Sequence, residues 1–246
     1  MEGEEPTIRS LGVDGLKFRL HPPEHIDGSI FTEGLYELNE LRFIRRRFRG
    51  RTMLDIGANI GNHSLYLAPN FKDIHAFEPN PITADRLRQN IELNRAAIHV
   101  HEVGLGDADA KLEFRSSDTG NLGGGSFTAT RFPVSHCLQV VQGDGYIADR
   151  GIRNVDFIKL DVEGFELKVL DGLAKTIERD RPVIVMEYDG RRGSQWTRLR
   201  SALPGYGFFI MGRKLIPLVD PGGGFLPMIF ALPLTGDRAA TDEARS

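Results

Sequence analysis

Apolar and polar positions alternate along the middle of the chain in a pattern that predicts an α/β domain. Short apolar runs of strand length lie at 51–56, 73–77, 98–103, 156–160 and 182–187. Stretches with apolar residues at helical spacing lie at 34–48, 60–68, 82–94, 165–179 and 194–203. Strands that alternate with helices join by right-handed crossovers, so we expect a mostly parallel sheet with helices on both faces.

Two late apolar runs predict a different arrangement at the end of the domain. Runs 207–211 and 228–232 have no helical pattern between them, because the link carries Pro217, Pro221 and several glycines. Such a link favours an antiparallel hairpin at one edge of the sheet. The expected sheet is therefore mostly parallel, with an antiparallel edge near the end of the domain.

The remaining segments are predicted to flank or interrupt the domain, which we place at 33–234. Residues 1–32 form an N-terminal extension on the substrate side, and residues 235–246 form a flexible polar tail. An insertion at 107–142 carries extra strands around a glycine-rich loop, 116–126. Ordering such a loop is costly unless something binds it, which favours a mobile substrate-side loop.

Composition and charge limit the classes of function that this chain can have. The chain is 40% apolar and 26% charged, as in an ordinary globular protein, and its net charge of -3 gives no support to nucleic-acid binding. One cysteine, Cys137, excludes an internal disulfide framework and a cysteine zinc cluster. The acidic N-terminus does not resemble a secretory signal, and no apolar run approaches the ~20 residues of a membrane span. We therefore expect a cytoplasmic protein.

The strongest chemical signal is a glycine turn after the first strand of the domain. Residues 53–61 read MLDIGANIG, so the turn has glycine at 57 and 61 and Asn59 between them. A dinucleotide-binding turn would carry another glycine in the middle and face a pyrophosphate. The observed pattern fits a ligand that carries an amino acid, whose ammonium group Asp55 can meet.

Acids at the ends of later strands extend this predicted site. Glu78 ends the next strand, about 20 residues after the turn, where a carboxylate binds ribose hydroxyls in nucleotide-binding folds. Asp107 follows the third strand, where an adenine would lie with Leu105 against its ring. Asp161 and Glu163 follow the fourth parallel strand, where ligands gather in such sheets.

Two separated motifs resemble the FkbM family of methyltransferases. DIGANIGNHS at 55–64 is similar to the first motif of that family, and FIKLDVEGFE at 157–166 is similar to its second. The resemblance covers roughly 33–188. It implies the Rossmann-like, seven-stranded class I methyltransferase sheet, S-adenosylmethionine as methyl donor and O-methylation of a sugar or natural product. The predicted cofactor-binding residues are Asp55, Gly57, Ala58, Asn59, Gly61, Asn62, Glu78, Pro79, Asn80, Leu105, Gly106, Asp107 and Asp161.

The predicted reaction is an in-line methyl transfer to the hydroxyl of a small metabolite, natural product or glycan. Asp161 and Glu163 are the predicted catalytic residues, since a hydroxyl acceptor must lose a proton to a nearby base. Both also lie where they can cap the following helix. Glu33, Tyr36 and Glu37 are expected to cover the cofactor, and His63 is expected to pack or to cap its helix.

Several alternatives remain open at this stage. The chain can be a non-catalytic binding module, or a catechol-type enzyme in which Asp161, Glu187 and Asp189 chelate a divalent cation; the primary prediction has no metal. A dehydrogenase and a nucleic-acid methyltransferase are less favoured. Fifteen phenylalanines and an apolar C-terminal hairpin leave room for a homo-oligomer.

Overall fold

The computed structural model describes residues 6–115, 134–192 and 195–234. The predicted glycine-rich loop at 116–126 and the predicted tail at 235–246 lie outside these ranges. In chain order the elements are β1 (Thr7–Ser10), β2 (Lys17–Leu20), α1 (His25–Glu33), α2 (Leu38–Arg47), β3 (Gly50–Ile56), α3 (Asn62–Leu67), β4 (Phe71–Phe77), α4 (Pro81–Asn94), β5 (His99–His101), β6 (Gly104–Gly106), β7 (Ala110–Arg115), β8 (Val134–Gln142), α5 (Gly143–Asp149), β9 (Val155–Leu160), α6 (Glu166–Gly172), α7 (Ala174–Asp180), β10 (Val183–Asp189), α8 (Gln195–Ala202), β11 (Tyr206–Met211), β12 (Leu215–Pro217) and β13 (Phe225–Pro233).

The central sheet has the strand order β12-β11-β13-β10-β9-β3-β4-β5. The strands from β10 to β5 run parallel, and β13 runs antiparallel to both β10 and β11. The predicted fold class is confirmed, and the predicted antiparallel pair at one edge is present as β11 and β13. The predicted number of seven strands is wrong: β12 adds an eighth, because the chain turns back at Gly212 and pairs briefly with β11.

A second, three-stranded sheet lies in the region of the predicted insertion. Its order is β6-β8-β7, so the extra strands predicted on either side of the glycine-rich loop are present. The expected third strand ends at His101, and residues 104–106 leave the central sheet to pair with β8. Helix α5 directly follows β8 and was not predicted.

Two helix predictions have the wrong bounds. The helix expected at 34–48 begins only at Leu38, and the preceding helix α1 lies almost entirely in the predicted N-terminal extension, where no helix was expected. The helix expected at 165–179 is two helices, α6 and α7, that meet at Leu173. A Cβ at Gly172, the last residue of α6, would lie 1.9 Å from the carbonyl oxygen of Gly106, so the end of α6 packs closely against β6.

The core occupies both faces of the central sheet. Side chains of consecutive strand residues point to opposite faces, so the fully buried Phe157 and Ile158 belong to different apolar clusters. The β1–β2 hairpin packs on α4, where Asn94 bonds both backbone groups of Lys17 and Asn90 accepts from the Arg19 amide. Within the described ranges, no helix combines the length and the apolar character needed to cross a membrane.

Candidate active site

The turn after β3 is held in a conformation that requires glycine. Gly57 has φ +82°, and a Cβ there would lie 1.8 Å from the carbonyl oxygen of Asp161. The amides of Gly57 and Ala58 both donate to the carbonyl of Phe77, each at 3.0 Å. Strands β3, β4 and β9 therefore converge on this turn, with no space for any side chain at position 57.

Glu78 links the turn to the start of α4. One carboxylate oxygen accepts from the Asn59 amide and the other from the Asn80 amide, each at 3.0 Å. Burial raises the pKa of Glu78 to about 7. The Asn80 side chain caps α4 by accepting from the amide of Ile82 at 3.0 Å. The acid after β4 thus lies against the glycine turn, as its position in the sequence predicts.

Asp55 lies fully buried at the end of β3. One of its oxygens accepts from the Ser64 hydroxyl at 2.5 Å, and the other is buried without a hydrogen-bond partner among the described residues. A buried acceptor that lacks a donor is costly unless a ligand or water supplies one. Asp55 therefore has an acceptor available for a donor group that enters the site.

Lys159 is buried in β9 and pairs with Asp161. Its ammonium group lies 2.8 Å from an Asp161 oxygen. Burial opposes the charged form, but the carboxylates of Asp161 and Asp55 outweigh it and raise the pKa of Lys159. Burial also acts to raise the pKa of Asp161, but Lys159 and the nearby His63 hold that pKa below its usual value. Asp161 is therefore held as a carboxylate.

Three carboxylates meet beyond the ends of β9 and β10. Oxygens of Asp161, Glu163 and Glu187 lie within 4.8 Å of one another, and we call these residues the acid trio. Burial and the neighbouring charges of Asp161 and Glu163 raise the pKa of Glu187 to about 8. Such oxygen ligands suit Mg²⁺. Asp189, which the sequence suggested as a ligand, instead pairs with Arg191 at 2.7 Å.

The segment before α2 covers this region from the N-terminal side. Asn62 accepts from the Tyr36 amide at 3.1 Å and donates to the Tyr36 carbonyl at 2.9 Å. Burial and the nearby Glu37 and Asp161 raise the pKa of the Tyr36 hydroxyl to about 12. Buried His63 has its Nε2 atom 3.3 Å from Glu37, without hydrogen-bond geometry. Asn62, predicted to bind cofactor, here anchors the segment that covers the turn.

The residues predicted to lie around an adenine have different surroundings. Leu105 is buried in the core, and Gly106 lies beside the ring of Phe165, which a Cβ there would approach to 3.2 Å. Asp107 is exposed and forms an ion pair with Lys168. Pro79 lies beside Gly104, at 3.7 Å from the position a Cβ would take there.

A pocket of about 170 Å³ opens next to the acid trio. It shares Glu163 and Glu187 with the trio, and it is lined by Glu163, Gly164, Glu166, Glu187, Asp189, Arg191 and Phe225. Its position beyond the carboxyl ends of β9 and β10 is where α/β sheets bind ligands. The pocket can therefore receive a second ligand beside one held at the glycine turn.

The structure brings most of the predicted site residues together and adds one that sequence reasoning missed. Asp55, Gly57, Asn59, Glu78 and Asp161 all border the turn, while Asp107 lies on the surface. Lys159 was missed, although its pattern was visible: it is a charged residue inside an apolar strand, two positions before Asp161 and so on the same strand face.

Comparison with known proteins identifies similar chains. Residues 55–210 match the family model described as the methyltransferase FkbM domain. Hexuronic acid methyltransferase AglP of Haloferax volcanii is 29% identical over 147 residues, which cover 60% of this chain and 60% of that protein. The 2-O-methyltransferase NoeI of Sinorhizobium fredii is 28% identical over 155 residues, which cover 55% of this chain and 62% of that protein. The chain thus spans about three fifths of the length of these relatives.

One solved structure supports the fold alone. The tRNA (uracil-54, C5)-methyltransferase of Pyrococcus abyssi, crystallised with S-adenosyl-L-homocysteine, superposes with a TM-score of 0.51 at 14% identity. The superposition covers 93% of this chain and 44% of that one. The two proteins therefore share the class I methyltransferase fold.

Proposed function

The chain belongs to the FkbM family of methyltransferases, and from this premise we propose that it transfers a methyl group from S-adenosylmethionine to a hydroxyl group. The acceptor is a small metabolite, a natural product or a sugar unit of a glycan. The names of two relatives, a hexuronic acid methyltransferase and a 2-O-methyltransferase, support an oxygen acceptor on a sugar. The observation that carries the proposal is the acid trio beside the glycine turn.

The residues at the turn fit the proposed donor. Glu78 would accept from the ribose hydroxyls, as acids at this position do in nucleotide-binding folds. The unpartnered oxygen of Asp55 would accept from the ammonium group of the methionine part. Leu105 and Phe165 would border the adenine, and Asp107 would have to leave Lys168 to accept from its amino group. Together these residues offer a partner for each part of the donor.

The acid trio supplies the proton chemistry that a hydroxyl acceptor needs. When bound, the donor supplies a methyl group on a positively charged sulfur, and the acceptor oxygen must approach in line with that bond. Asp161, held as a carboxylate by Lys159, would accept a hydrogen bond from the acceptor and orient it, and Glu163 would assist. Glu187 would take the proton, because a carboxyl whose pKa is about 8 is suited to a base near neutral pH.

Labelled methyl transfer and calorimetry together test the proposal. Purified protein should bind S-adenosylhomocysteine and transfer label from S-adenosylmethionine to hydroxyl acceptors. Asp161→Ala and Glu187→Gln should each lower kcat at least about a hundredfold while binding of S-adenosylhomocysteine is retained. The exposed Asp149, at the end of α5, provides the control D149N, which should keep full activity.

Other results would replace the proposal with a defined alternative. Methyl transfer to nitrogen or carbon acceptors alone would contradict the proposed O-methylation. Binding of S-adenosylhomocysteine without transfer to any acceptor in a broad panel would favour a non-catalytic binding module. Absence of S-adenosylhomocysteine binding would contradict S-adenosylmethionine as the methyl donor.

A metal-dependent O-methyltransferase is the second candidate, and the spacing of the acid trio favours it. Three carboxylates within 4.8 Å of one another repel, and a divalent cation relieves that repulsion. Treatment with a chelator should then abolish methyl transfer, and Mg²⁺ should restore it in the native enzyme but not in Glu163→Gln. Full activity after chelation would exclude a metal role for the acid trio and leave proton transfer as its role.

A further inference from the structure

The outer face of α2 becomes basic toward the end of the helix. One face of α2 packs on the core, and Arg42 and Arg46, one turn apart, are exposed on the other. Arg49, two residues beyond the helix, is also exposed. Glu40, the one acid of α2, lies in its first turn. Three exposed arginines therefore follow one another without an acid between them.

The turn between β11 and β12 adds two further cations beside this helix. Arg47 of α2 donates from its Nη2 atom to the Arg213 carbonyl at 2.7 Å, which joins the turn to the end of the helix. The side chains of Arg213 and Lys214 are exposed. We call the five exposed cations the basic patch: Arg42, Arg46, Arg49, Arg213 and Lys214.

The cations of the basic patch are not neutralised by neighbouring acids. Among the residues that the structure describes, none of the five forms an ion pair. Asp14, which reaches α2 from the β1–β2 hairpin, pairs with Arg45 instead. The net charge of the whole chain is -3, so the patch has the opposite sign to the molecule that carries it. It therefore presents a positive potential to an anionic partner.

Exposed aliphatic side chains border the same turn. Ile216 is 50% exposed, and its Cδ1 atom lies 2.7 Å from the position that a Cβ on Gly212 would take. Its side chain therefore lies over the turn that carries Arg213 and Lys214. Val219, shortly after β12, is 82% exposed. Cations bordered by aliphatic groups are typical of surfaces that bind anionic membranes, because the apolar groups enter the headgroup region.

The aromatic rings near the basic patch are covered. The Arg47 guanidinium group lies 3.9 Å from the centre of the Phe43 ring, and the Arg45 guanidinium group lies 4.6 Å from the centre of the Tyr66 ring. Both rings are also buried. Proteins that bind single-stranded nucleic acid combine cations with exposed rings on which the bases stack. The surroundings of the patch therefore favour a lipid surface over a nucleic acid.

We propose that the basic patch, together with Ile216 and Val219, docks the protein on the surface of a membrane that contains anionic lipids. The lipid phosphate groups pair with the five cations, and the two aliphatic side chains enter the headgroup region. Such attachment requires no membrane-spanning helix. The inference goes beyond the proposed function and does not depend on it.

Sedimentation of the full chain with lipid vesicles tests the inference. The protein should bind vesicles of an equimolar mixture of phosphatidylcholine and phosphatidylglycerol at least about tenfold more tightly than vesicles of phosphatidylcholine alone. Salt should weaken the binding, because it screens the exposed charges. Equal binding to the two kinds of vesicle, or no binding to the mixed vesicles, would overturn the inference.

A charge-matched pair of variants locates the surface. A cation near an anionic membrane strengthens binding by about fivefold, so R42Q/R46Q/R49Q should bind the mixed vesicles at least about twentyfold more weakly. The control K175Q/R198Q/R200Q removes three exposed cations from α7 and α8, which pack on the other face of the sheet, and it should bind like the native protein. Equal losses in the two variants would overturn the assignment to the basic patch.

The aliphatic side chains have their own test. I216S/V219S keeps every charge, and it should bind the mixed vesicles at least about threefold more weakly than the native protein. Unchanged binding would overturn the role given to Ile216 and Val219.

Two further measurements separate the inference from its alternatives. Binding of a single-stranded oligonucleotide that R42Q/R46Q/R49Q abolishes, without binding to vesicles, would overturn the membrane and assign the patch to nucleic acid. Methyl transfer to a water-soluble acceptor should be the same in R42Q/R46Q/R49Q and in the native protein, because attachment and chemistry use different residues. A loss of that activity together with vesicle binding would overturn this separation.

Discussion

At the scale of single residues, the site depends on charged groups that are buried in pairs. Lys159 neutralises Asp161, which is one member of the acid trio, and Glu78 is held between two backbone amides. A buried ion that loses its partner is costly, whereas the complete pair contributes much less than its close contact suggests. Single substitutions in these groups should therefore have larger effects than the corresponding double substitutions.

The Lys159–Asp161 pair allows a direct test of this expectation. Lys159→Met leaves Asp161 beside two other carboxylates without its counter-ion, so the free energy of unfolding at pH 7 should fall by about 2 kcal/mol or more. Adding Asp161→Asn to Lys159→Met should recover at least about half of that loss. Urea denaturation of the two single variants and the double variant measures the coupling, and additive losses would contradict it.

Glu78 should make stability depend on pH. Its pKa is about 7 in the folded protein against 4.5 for an ordinary glutamate, so folding favours the protonated form. Its contribution to stability is therefore complete below pH 4.5 and is lost as the pH rises through 7. Glu78→Gln removes this dependence, so between pH 5 and pH 8 the variant should gain up to about 3 kcal/mol relative to the native protein. A constant difference in unfolding free energy across this range would contradict the assignment.

Gly57 tests the backbone of the turn. Gly57→Ala should lower the free energy of unfolding by about 1–3 kcal/mol through backbone strain alone, and more because its Cβ would press on the Asp161 carbonyl. It should also abolish binding of S-adenosylhomocysteine. Gly223, which has open space around it, gives the control G223A, expected to change stability by less than about 0.5 kcal/mol. Equal effects of the two variants would show that the turn tolerates a side chain.

At the scale of elements, asparagine side chains join the N-terminal segment to the rest of the domain at two places. Asn62 in α3 holds the backbone of Tyr36, and Asn94 in α4 holds the backbone of Lys17 in the same two-bond manner. Asn62 lies at the proposed donor site, and Asn94 lies at the β1–β2 hairpin. The two anchors are chemically alike but differ in position.

This likeness makes a matched experiment possible. Asn62→Ala removes two hydrogen bonds to backbone groups, and Asn94→Ala removes three, because Asn94 also donates to the Asn90 carbonyl of its own helix. Each variant should lose about 1–3 kcal/mol of stability. Asn62→Ala alone should raise KM for the methyl donor and speed hydrogen exchange of the Tyr36 amide. Similar changes in both variants would mean that the segment around Tyr36 does not contribute to the site.

The elements that could be predicted are those whose own sequence shows the apolar pattern that stabilises them. The strands and helices from β3 to β5 carry strong apolar periodicity, and their positions were predicted closely. Helix α1 was missed because it contains a glycine and lacks a clear apolar stripe. Its stability comes from distant contacts, since Ile30 enters the core and Asp27 pairs with Arg86 of α4. A local pattern cannot reveal a helix that depends on its neighbours.

At the scale of the whole molecule, the same reasoning applies to the site. Its cofactor half was predictable, because the glycine turn and Glu78 follow strands that are adjacent in both sequence and space. The acid trio was predictable only in part, because Glu187 joins Asp161 and Glu163 through the pairing of β10 with β9. The replacement of Asp189 by Glu163 in the trio depends on where Arg191 lies, which the spacing of residues does not determine.

The pairing of β3 with β9 has a consequence for how the protein is made. Asp55 lies opposite Lys159 in these adjacent strands, so about a hundred residues separate the two halves of the site along the chain. A ribosome adding about 5–20 residues per second needs roughly 5–20 seconds to bridge that interval. During this interval, the emerging polypeptide already contains the glycine turn and Glu78 but lacks every member of the acid trio. The new protein can therefore complete its site only in one late step, when β9 inserts beside β3.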